Sequence, residues 1–369
     1  MRILITGADG FIGKNLVHHL AHNTNHQVLK FCRGDKISDL KDKIHRSDII
    51  VHLAAVNRTN DSSDFIRVNK GLTEIICEEI EVSPNTIGLI FTSSLQSTHE
   101  TPYGKSKHFA ESAIKNLCKR KDISATIYRL PGVFGKWCKP NYNNVVATFC
   151  HNIIHNNPIE IHDPDRIITF VYIDDVIKSI LGSIDRLVPG LTFSNVAPEF
   201  EISLDDLAKY ITYFKKIQNS TTTPSFNNPI IRPLHSTYLS YLPIEESSYQ
   251  ISGHSDERGL FLEVMRLPNS GQISCIKTNP GMTRGGHFHH SKVEKFLVVK
   301  GSAKFRFLNV LTNEKHEITT SESTLHIVQT LPGWSHDFTN TGNEELIVLV
   351  WSNEEFDPTR PDTIKVNMP

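Results

Sequence analysis

No stretch of this chain has the uninterrupted apolar length needed to span a bilayer. Its opening residues, MRILITGADG, show no apolar core followed by a small-residue cleavage site. A membrane-spanning or exported protein is therefore not expected, and the cytoplasm is the expected location. An excess of either charge is also missing: 39 Lys and Arg against 40 Asp and Glu leave a net charge of -1. Bulk electrostatics thus gives no reason to expect nucleic acid or an anionic membrane as partner, and specific small ligands are expected instead. The six cysteines (Cys32, Cys77, Cys118, Cys138, Cys150 and Cys275) form no C-x-x-C pair and keep no regular spacing. They read as reduced, semi-buried structural thiols. Internal repeats and low-complexity runs are absent as well.

With 369 residues, the chain exceeds what one core usually fills, so two domains are expected. Short apolar strands at RILIT, QVLKFC, DIIVHLAA, IGLIFTSS and ATIYRL alternate with helix-like stretches at 12–22, 65–81 and about 103–121. That rhythm predicts an α/β fold of Rossmann type, a doubly wound parallel sheet with helices on both faces. From about Lys215 to Tyr249 the pattern gives way to a polar, proline-punctuated junction. Beyond it, alternating segments such as GLFLEVMRL, GQISCIKT, EKFLVVKG, SAKFRFLNV and EELIVLVW are divided by Gly, Pro and Asn turns. They predict an all-β barrel or sandwich. The expected domains are residues 1–243 and 244–369.

Gly7, Gly10 and Gly13 in TGADGFIG follow a strand and open a helix. Glycine there permits a tight turn, lets the backbone approach a pyrophosphate and allows close helix–sheet packing, while the helix N-terminus faces negative charge. The three-glycine pattern alone is a weak signal. In YGKSK, however, Tyr103 and Lys107 are four apart and share a helix face. An ammonium beside a phenol lowers the phenol's pKa and suits it to acid–base work, and a serine hydroxyl can orient a carbonyl undergoing reduction. Ser94 at the end of LIFTSS is the leading serine, with Ser93 and Thr92 as substitutes, because the gap from Ser94 to Tyr103 is only nine residues.

Together with HLAAVN, VNKGLTEI (Asn69), YRLPGVFG (Arg129) and FVYIDDV (Asp174, Asp175), these motifs make residues 1 to about 243 resemble the extended short-chain dehydrogenase/reductase family, which acts mostly on nucleotide sugars. The resemblance implies catalysis by Ser94, Tyr103 and Lys107. It also implies a nicotinamide dinucleotide held by Gly7, Gly10, Phe11, Ile12, Gly13, Arg33, Leu53, Ala54, Tyr103 and Lys107. Two departures narrow the chemistry. The second strand ends in FCRG, with Arg33 where an acidic residue would bind the ribose hydroxyls of NAD, and arginine fits the 2′-phosphate of NADP. The acidic pair that family dehydratases carry beside the catalytic serine is replaced by SSLQST. NADPH-dependent ketone reduction is therefore expected, rather than dehydration or C4 epimerisation on a retained NAD.

The second domain carries GGHFHHSKVEKFLVVKG. On a strand His287 and His289 point to one face and His290 to the other; Glu294 follows after a turn, and His336 lies in a second hairpin region. Three imidazoles and a carboxylate suit Zn²⁺, with Fe, Mn, Co or Ni chemically possible. The spacing from Gly281 through His287, His289 and Glu294 to Gly301 resembles the first cupin motif, with His336 and Asn340 in an approximate second one. SDERGLFLEV and GMTRGGHFHH further resemble the nucleotide-sugar 3,5-epimerase branch of the cupins, whose base is a histidine at the position of His287. That branch has a catalytic lysine where this chain has Glu294, so its mechanism does not transfer unchanged. His290, Lys292, Lys295 and His326 are candidate bases, with His254 and Asp256 as weaker ones.

The order of the two domains, KWCKPNYNN and STYLSYLP make the full chain resemble the CapF-type family of bifunctional UDP-sugar enzymes. That resemblance implies C3 epimerisation of a UDP-4-keto-6-deoxy-N-acetylhexosamine by the cupin and NADPH-dependent C4 reduction by the first domain, in a homodimer. A monofunctional reductase with a structural, dimerising cupin and a non-enzymatic NADP sensor are the alternatives.

Overall fold

The computed structural model describes residues 1–368. The chain forms two compact units, one from residues 1–212 and 232–242, the other from residues 213–231 and 243 onward. In the first, β1 (Arg2–Thr6), α1 (Phe11–Asn23), β2 (Gln27–Phe31), α2 (Ile37–His45), β3 (Ile49–His52), α3 (Gly71–Val82), β4 (Gly88–Ser94), α4 (Pro102–Arg120) and β5 (Ser124–Leu130) alternate along the chain. The sheet runs β2-β1-β3-β4-β5 with strand Gly190–Ser194 at its edge, and every pairing is parallel.

Side-chain alternation explains the two helical layers. Ile3, Ile5 and Val51 pack on one face with Leu16 and Leu20 of α1 and Val176 and Ile180 of helix Ile173–Asp185. Leu4 and Ile50 face the other way, onto Leu40, Ile76 and Ile114 of α2, α3 and α4. Strands buried on both faces have to be apolar throughout, which is why RILIT and IIVH read as continuous runs. The chain starts mid-sheet, steps out to β2 and returns to β3 on the far side of β1. The reversal thus lies between the carboxyl ends of β1 and β3, where open α/β sheets bind their ligands.

Two expected elements differ in detail. The predicted helix over 65–81 is a π-helical turn, Phe65–Lys70, followed by α3. The junction from 215 to 249 is less irregular than its composition predicts, because it contains helix Ile231–Leu239. Pro233 sits in that helix's first turn, where a missing N–H breaks no helical hydrogen bond. Residues 213–231, placed with the first domain by the division at 243, group with the second unit. Backbone bonds tie them there: Arg266 N donates to Thr221 O and Thr223 N to Arg266 O, while Thr221 Oγ1 donates to Glu263.

The second unit is antiparallel. One sheet orders His254–Asp256, Gly259–Leu267, Gly271–Thr278, Leu346–Ser352, Glu294–Lys300 and Ile327–Gln329. The other orders Lys315–Ser321, Ser302–Asn309, Trp334–Asn340, Thr283–Phe288 and Ile364–Lys365. Phe296, Val298, Val348 and Val350 of the first sheet meet Phe305, Phe307 and Phe338 of the second in one core, the arrangement of a cupin barrel. All six cysteines are free. Among the described residues no helix is long and apolar enough to cross a membrane.

Candidate functional site

The glycine loop lies at the β1/β3 switch point. Gly7 has φ +69°, and a Cβ there would lie 2.8 Å from the Ala54 backbone. A Cβ on Gly13 would lie 2.2 Å from Gly7 O, so only glycine lets α1 start this close under the turn. The structure therefore brings Gly7, Gly10 and Gly13 and the Leu53–Ala54 segment together, backbone against backbone, with Phe11 and Ile12 opening α1 beside them. That shape fits a dinucleotide pyrophosphate at a helix N-terminus. Arg33 is exposed just past β2, on the same rim of the sheet.

The second group of predicted residues meets at the carboxyl end of β4. Pro102 starts α4 and Thr101 caps it, its Oγ1 accepting from Gly104 N at 3.0 Å. A short 3₁₀ turn, Leu95–Thr98, folds back over that first helical turn so tightly that a Cβ on Gly104 would lie 2.4 Å from Gln96 O and His99 O. This compact return lets a nine-residue gap bring the Ser94 side chain close enough to Tyr103 to act on its phenol. Ser93 is engaged elsewhere, its Oγ donating to Glu111 at 2.6 Å. Thr92 contributes its carbonyl, which accepts from Lys107 Nζ at 2.9 Å.

Burial pushes the Tyr103 phenol above its ordinary value, opposed by the Ser94 side chain, so in this state the phenol is a proton donor. The lowering expected from Lys107 is not among the influences on the phenol; burial and Ser94 set its shift, which is upward. Lys107 is buried over the ring of Phe91, and desolvation brings its ammonium down to about 8 against the pull of Glu111. A lysine whose folded pKa lies below its unfolded 10.5 penalises folding at low pH, and the penalty disappears as pH rises from about 8 towards 10.5. Relative to a Lys107→Met variant, the cofactor-free protein is expected to gain up to about 3 kcal/mol over that window in denaturant titrations. A pH-independent difference between the two proteins would contradict this assignment.

Two supporting groups escaped the sequence reading. Glu111 lies four residues beyond Lys107, so Tyr103, Lys107 and Glu111 share one face of α4, and that spacing was its available signal. Its buried carboxylate accepts from Arg129 Nε and Nη2 at 3.0 and 2.6 Å as well as from Ser93. His52 is fully buried and pushed down to about 3 by desolvation and Lys107, so it is neutral. It bridges Thr6 Oγ1 (2.7 Å) and Thr73 Oγ1 (2.9 Å), and Thr73 donates onward to Asn69 O. The Asn69 side chain in turn bonds Val56 and Ser106.

In the second unit His287, His289, Glu294 and His336 bring one ligand atom each to within 4.8 Å of one another. Strand register does part of this: His287 on Thr283–Phe288 lies opposite His336 on Trp334–Asn340, and Glu294 opens strand Glu294–Lys300 of the other sheet. His289 Nε2 and His336 Nε2 lie 3.3 and 3.2 Å from Glu294 Oε2. The Nδ1–H of His289 is donated to the Asp362 carbonyl, which fixes Nε2 as its inward atom. Burial alone would raise Glu294, but its hydrogen bonds with His289 and His336 and the nearby Lys292 ammonium hold it well below the carboxylate range. Burial and the neighbouring imidazoles push His287 down to about 4, leaving it neutral. Glu294 and the Asp362 carbonyl shift His289 the other way, upward against its burial, so a bound cation would take the place of a proton there; three imidazoles around an ionised carboxylate are a fitting donor set for a divalent cation. Of the candidate bases, Lys292 reaches the cluster, its Nζ 3.5 Å from Glu294 Oε1. Lys295 instead lies over the Trp351 ring, His290 is exposed against Phe288, His254 and His326 are exposed, and Asp256 pairs with Arg258 and Arg284.

Comparison with known proteins agrees with this geometry. Residues 3–193 match the NAD dependent epimerase/dehydratase family and residues 254–364 the polysaccharide biosynthesis C-terminal domain. A Pseudomonas aeruginosa UDP-2-acetamido-2,6-beta-L-arabino-hexul-4-ose reductase is 44% identical over 98% of both chains. The crystal structure of the capsular polysaccharide assembling protein CapF from Staphylococcus aureus covers all of both chains at 34% identity and a TM-score of 0.89. MoeE5 in complex with UDP-glucose and NAD, at 20% identity over 58% of this chain with a TM-score of 0.53, shares the fold alone. The chain belongs to the NAD dependent epimerase/dehydratase family and, along its whole length, to the CapF-type enzymes that join this domain to a cupin.

Proposed function

We propose that this protein is a cytoplasmic, bifunctional UDP-sugar enzyme. Its cupin epimerises C3 of a UDP-4-keto-6-deoxy-N-acetylhexosamine, and its first domain then reduces the C4 ketone to UDP-2-acetamido-2,6-dideoxy-L-talose, on the route to UDP-N-acetyl-L-fucosamine for capsular or O-antigen polysaccharide. The observation that carries the reductive half is the convergence of Ser94, Tyr103 and Lys107 at one strand end. NADPH supplies the hydride. Ser94 orients the ketone oxygen, Tyr103 gives it the proton that completes the alcohol, and the Lys107 ammonium, anchored on Thr92 O, holds positive charge one helical turn from Tyr103. The name of the 44% identical relative supports the keto-sugar substrate class.

For the epimerising half, a divalent cation, Zn²⁺ by donor type, would be held by His287, His289, Glu294 and His336 and would supply Lewis acidity next to a carbonyl. The pairing of steps is chemically ordered: a C4 ketone acidifies the C3 proton, and reduction afterwards traps the new configuration. Incubating the protein with the UDP-4-keto sugar and NADPH and reading the product's configuration by NMR tests both halves. A product reduced at C4 with C3 unchanged would leave a monofunctional reductase.

Arg33 supports the choice of NADPH, since a guanidinium on this rim suits a 2′-phosphate. Arg33→Ala is expected to raise the KM for NADPH roughly 10- to 100-fold, the cost of a charged hydrogen bond, and to leave the KM for NADH unchanged. Equal shifts for both cofactors would remove the assignment. A homodimer is supported by the outer face of the cupin sheet, where Leu297, Ile327, Leu349 and Trp351 form an apolar surface. Light scattering on the purified protein measures it.

A further inference from the structure

The backing of the His–Glu cluster comes from the far end of the chain. Strand Ile364–Lys365 adds antiparallel to Thr283–Phe288, with Lys365 opposite His287 and Ile364 opposite Phe288, and Val366 N donates to Gly286 O at 2.9 Å. Just before this strand, Asp362 makes two kinds of contact at once. Its carbonyl accepts the Nδ1–H of His289. Its carboxylate accepts three successive backbone N–H groups, His290 on Oδ1 at 3.0 Å and Ser291 and Lys292 on Oδ2 at 2.9 Å each, plus the Ser291 hydroxyl at 3.2 Å.

Those three donors are the turn that carries the chain from His289 to Glu294. One residue therefore sets the tautomer and ring orientation of one ligand and the course of the backbone to the next. Asp362 does this at φ +37°, in the left-handed region that Asp and Asn enter more readily than other non-glycine residues. Strain of this kind persists where surrounding contacts over-determine the conformation, and here five hydrogen bonds do so.

We propose that the C-terminal segment around Asp362 is an integral part of the metal centre, with Asp362 the positioning residue that holds His289 and the 290–292 turn in ligating geometry. This rests on the reading of His287, His289, Glu294 and His336 as metal ligands, and it extends the centre to a segment about seventy residues away in sequence. Outer groups that orient a ligating imidazole typically change metal affinity 10- to 100-fold when removed.

The test uses the full-length protein and Zn²⁺ alone, with affinity measured by competition against a chromophoric chelator. Asp362→Gly keeps the left-handed backbone accessible and removes every carboxylate contact; Zn²⁺ affinity is expected to fall 10- to 100-fold. Asp362→Asn keeps one acceptor oxygen at a compatible φ and is expected to lose less, restoring part of the affinity. The metal-free Asp362→Gly protein is expected to melt somewhat below the metal-free wild type, because the carboxylate's hydrogen bonds are gone, and the Zn²⁺-loaded variant is expected to lose more than that. Wild-type affinity in Asp362→Gly would overturn the proposal, as would an equal destabilisation of the metal-free form, which marks a generic structural role. Failure of the wild-type chain itself to bind one Zn²⁺ would instead overturn the underlying ligand assignment, and the proposal with it.

Discussion

Tyr103→Phe is expected to lower NADPH-dependent reduction of the keto sugar by 10²- to 10⁴-fold, the usual contribution of a positioned general acid. The substitution deletes one hydroxyl and keeps the ring, whose edge-to-face contact with Phe65 at 5.8 Å is part of the local packing. Folding and NADPH binding are therefore expected to survive, and the loss should fall on kcat in single-turnover NADPH oxidation. Ser94 does not replace the missing proton donor, since an unperturbed hydroxyl is a far weaker acid than a phenol. The variant also separates the two steps. If the cupin enolises the sugar independently, Tyr103→Phe still exchanges solvent deuterium into C3 of the keto substrate, and mass spectrometry reads a one-dalton gain without reduction. A folded, metal-loaded variant that reduces nothing and exchanges nothing would remove the two-step scheme.

Much of this was readable from sequence because its signals are local. The glycine loop is a run of eight residues whose spacing follows from one turn and one helix start. Tyr103 and Lys107 share a helix face by period, and His287, His289 and Glu294 fall within eight consecutive residues around one turn. The serine was ambiguous for a physical reason. Whether Thr92, Ser93 or Ser94 meets the phenol depends on how tightly the 95–98 turn folds back, and that is set by Gly104 against two carbonyls rather than by any strand or helix period. What sets Ser93 apart from Ser94 is a tertiary contact, its hydroxyl donating to Glu111. The regrouping of 213–231 and the helix at Ile231–Leu239 were hidden because polar, proline-bearing sequence resembles a linker until its backbone partners at Arg266 are known. Asp362 was out of reach for the same reason: its partners lie about seventy residues away and are backbone atoms, which leave no mark on residue type.

The complementary experiment is Glu294→Gln. Glu294 is the one carboxylate among the four proposed ligands, and its Oε2 meets both His289 Nε2 and His336 Nε2. An amide of nearly the same shape fills the space, so the barrel's phenylalanine core is expected to hold, but it brings no negative charge to the centre and places a neutral group between the two imidazoles. A cation that contributes several kcal/mol to stabilising developing negative charge would be lost with it, and C3 deuterium exchange is expected to fall by roughly 10³-fold. Reduction of a keto sugar already carrying the epimerised C3 is expected to continue at the wild-type rate, because Ser94, Tyr103 and Lys107 reside in the other unit. The two variants then form opposite halves of one dissection: Tyr103→Phe exchanges without reducing, and Glu294→Gln reduces without exchanging. Undiminished exchange in a Glu294→Gln protein shown to be metal-free would place enolisation outside the cluster and leave the cupin a structural role, as the monofunctional alternative requires. Loss of both activities in a folded protein would mean that the reductase itself depends on the cluster, and would count equally against two independent sites.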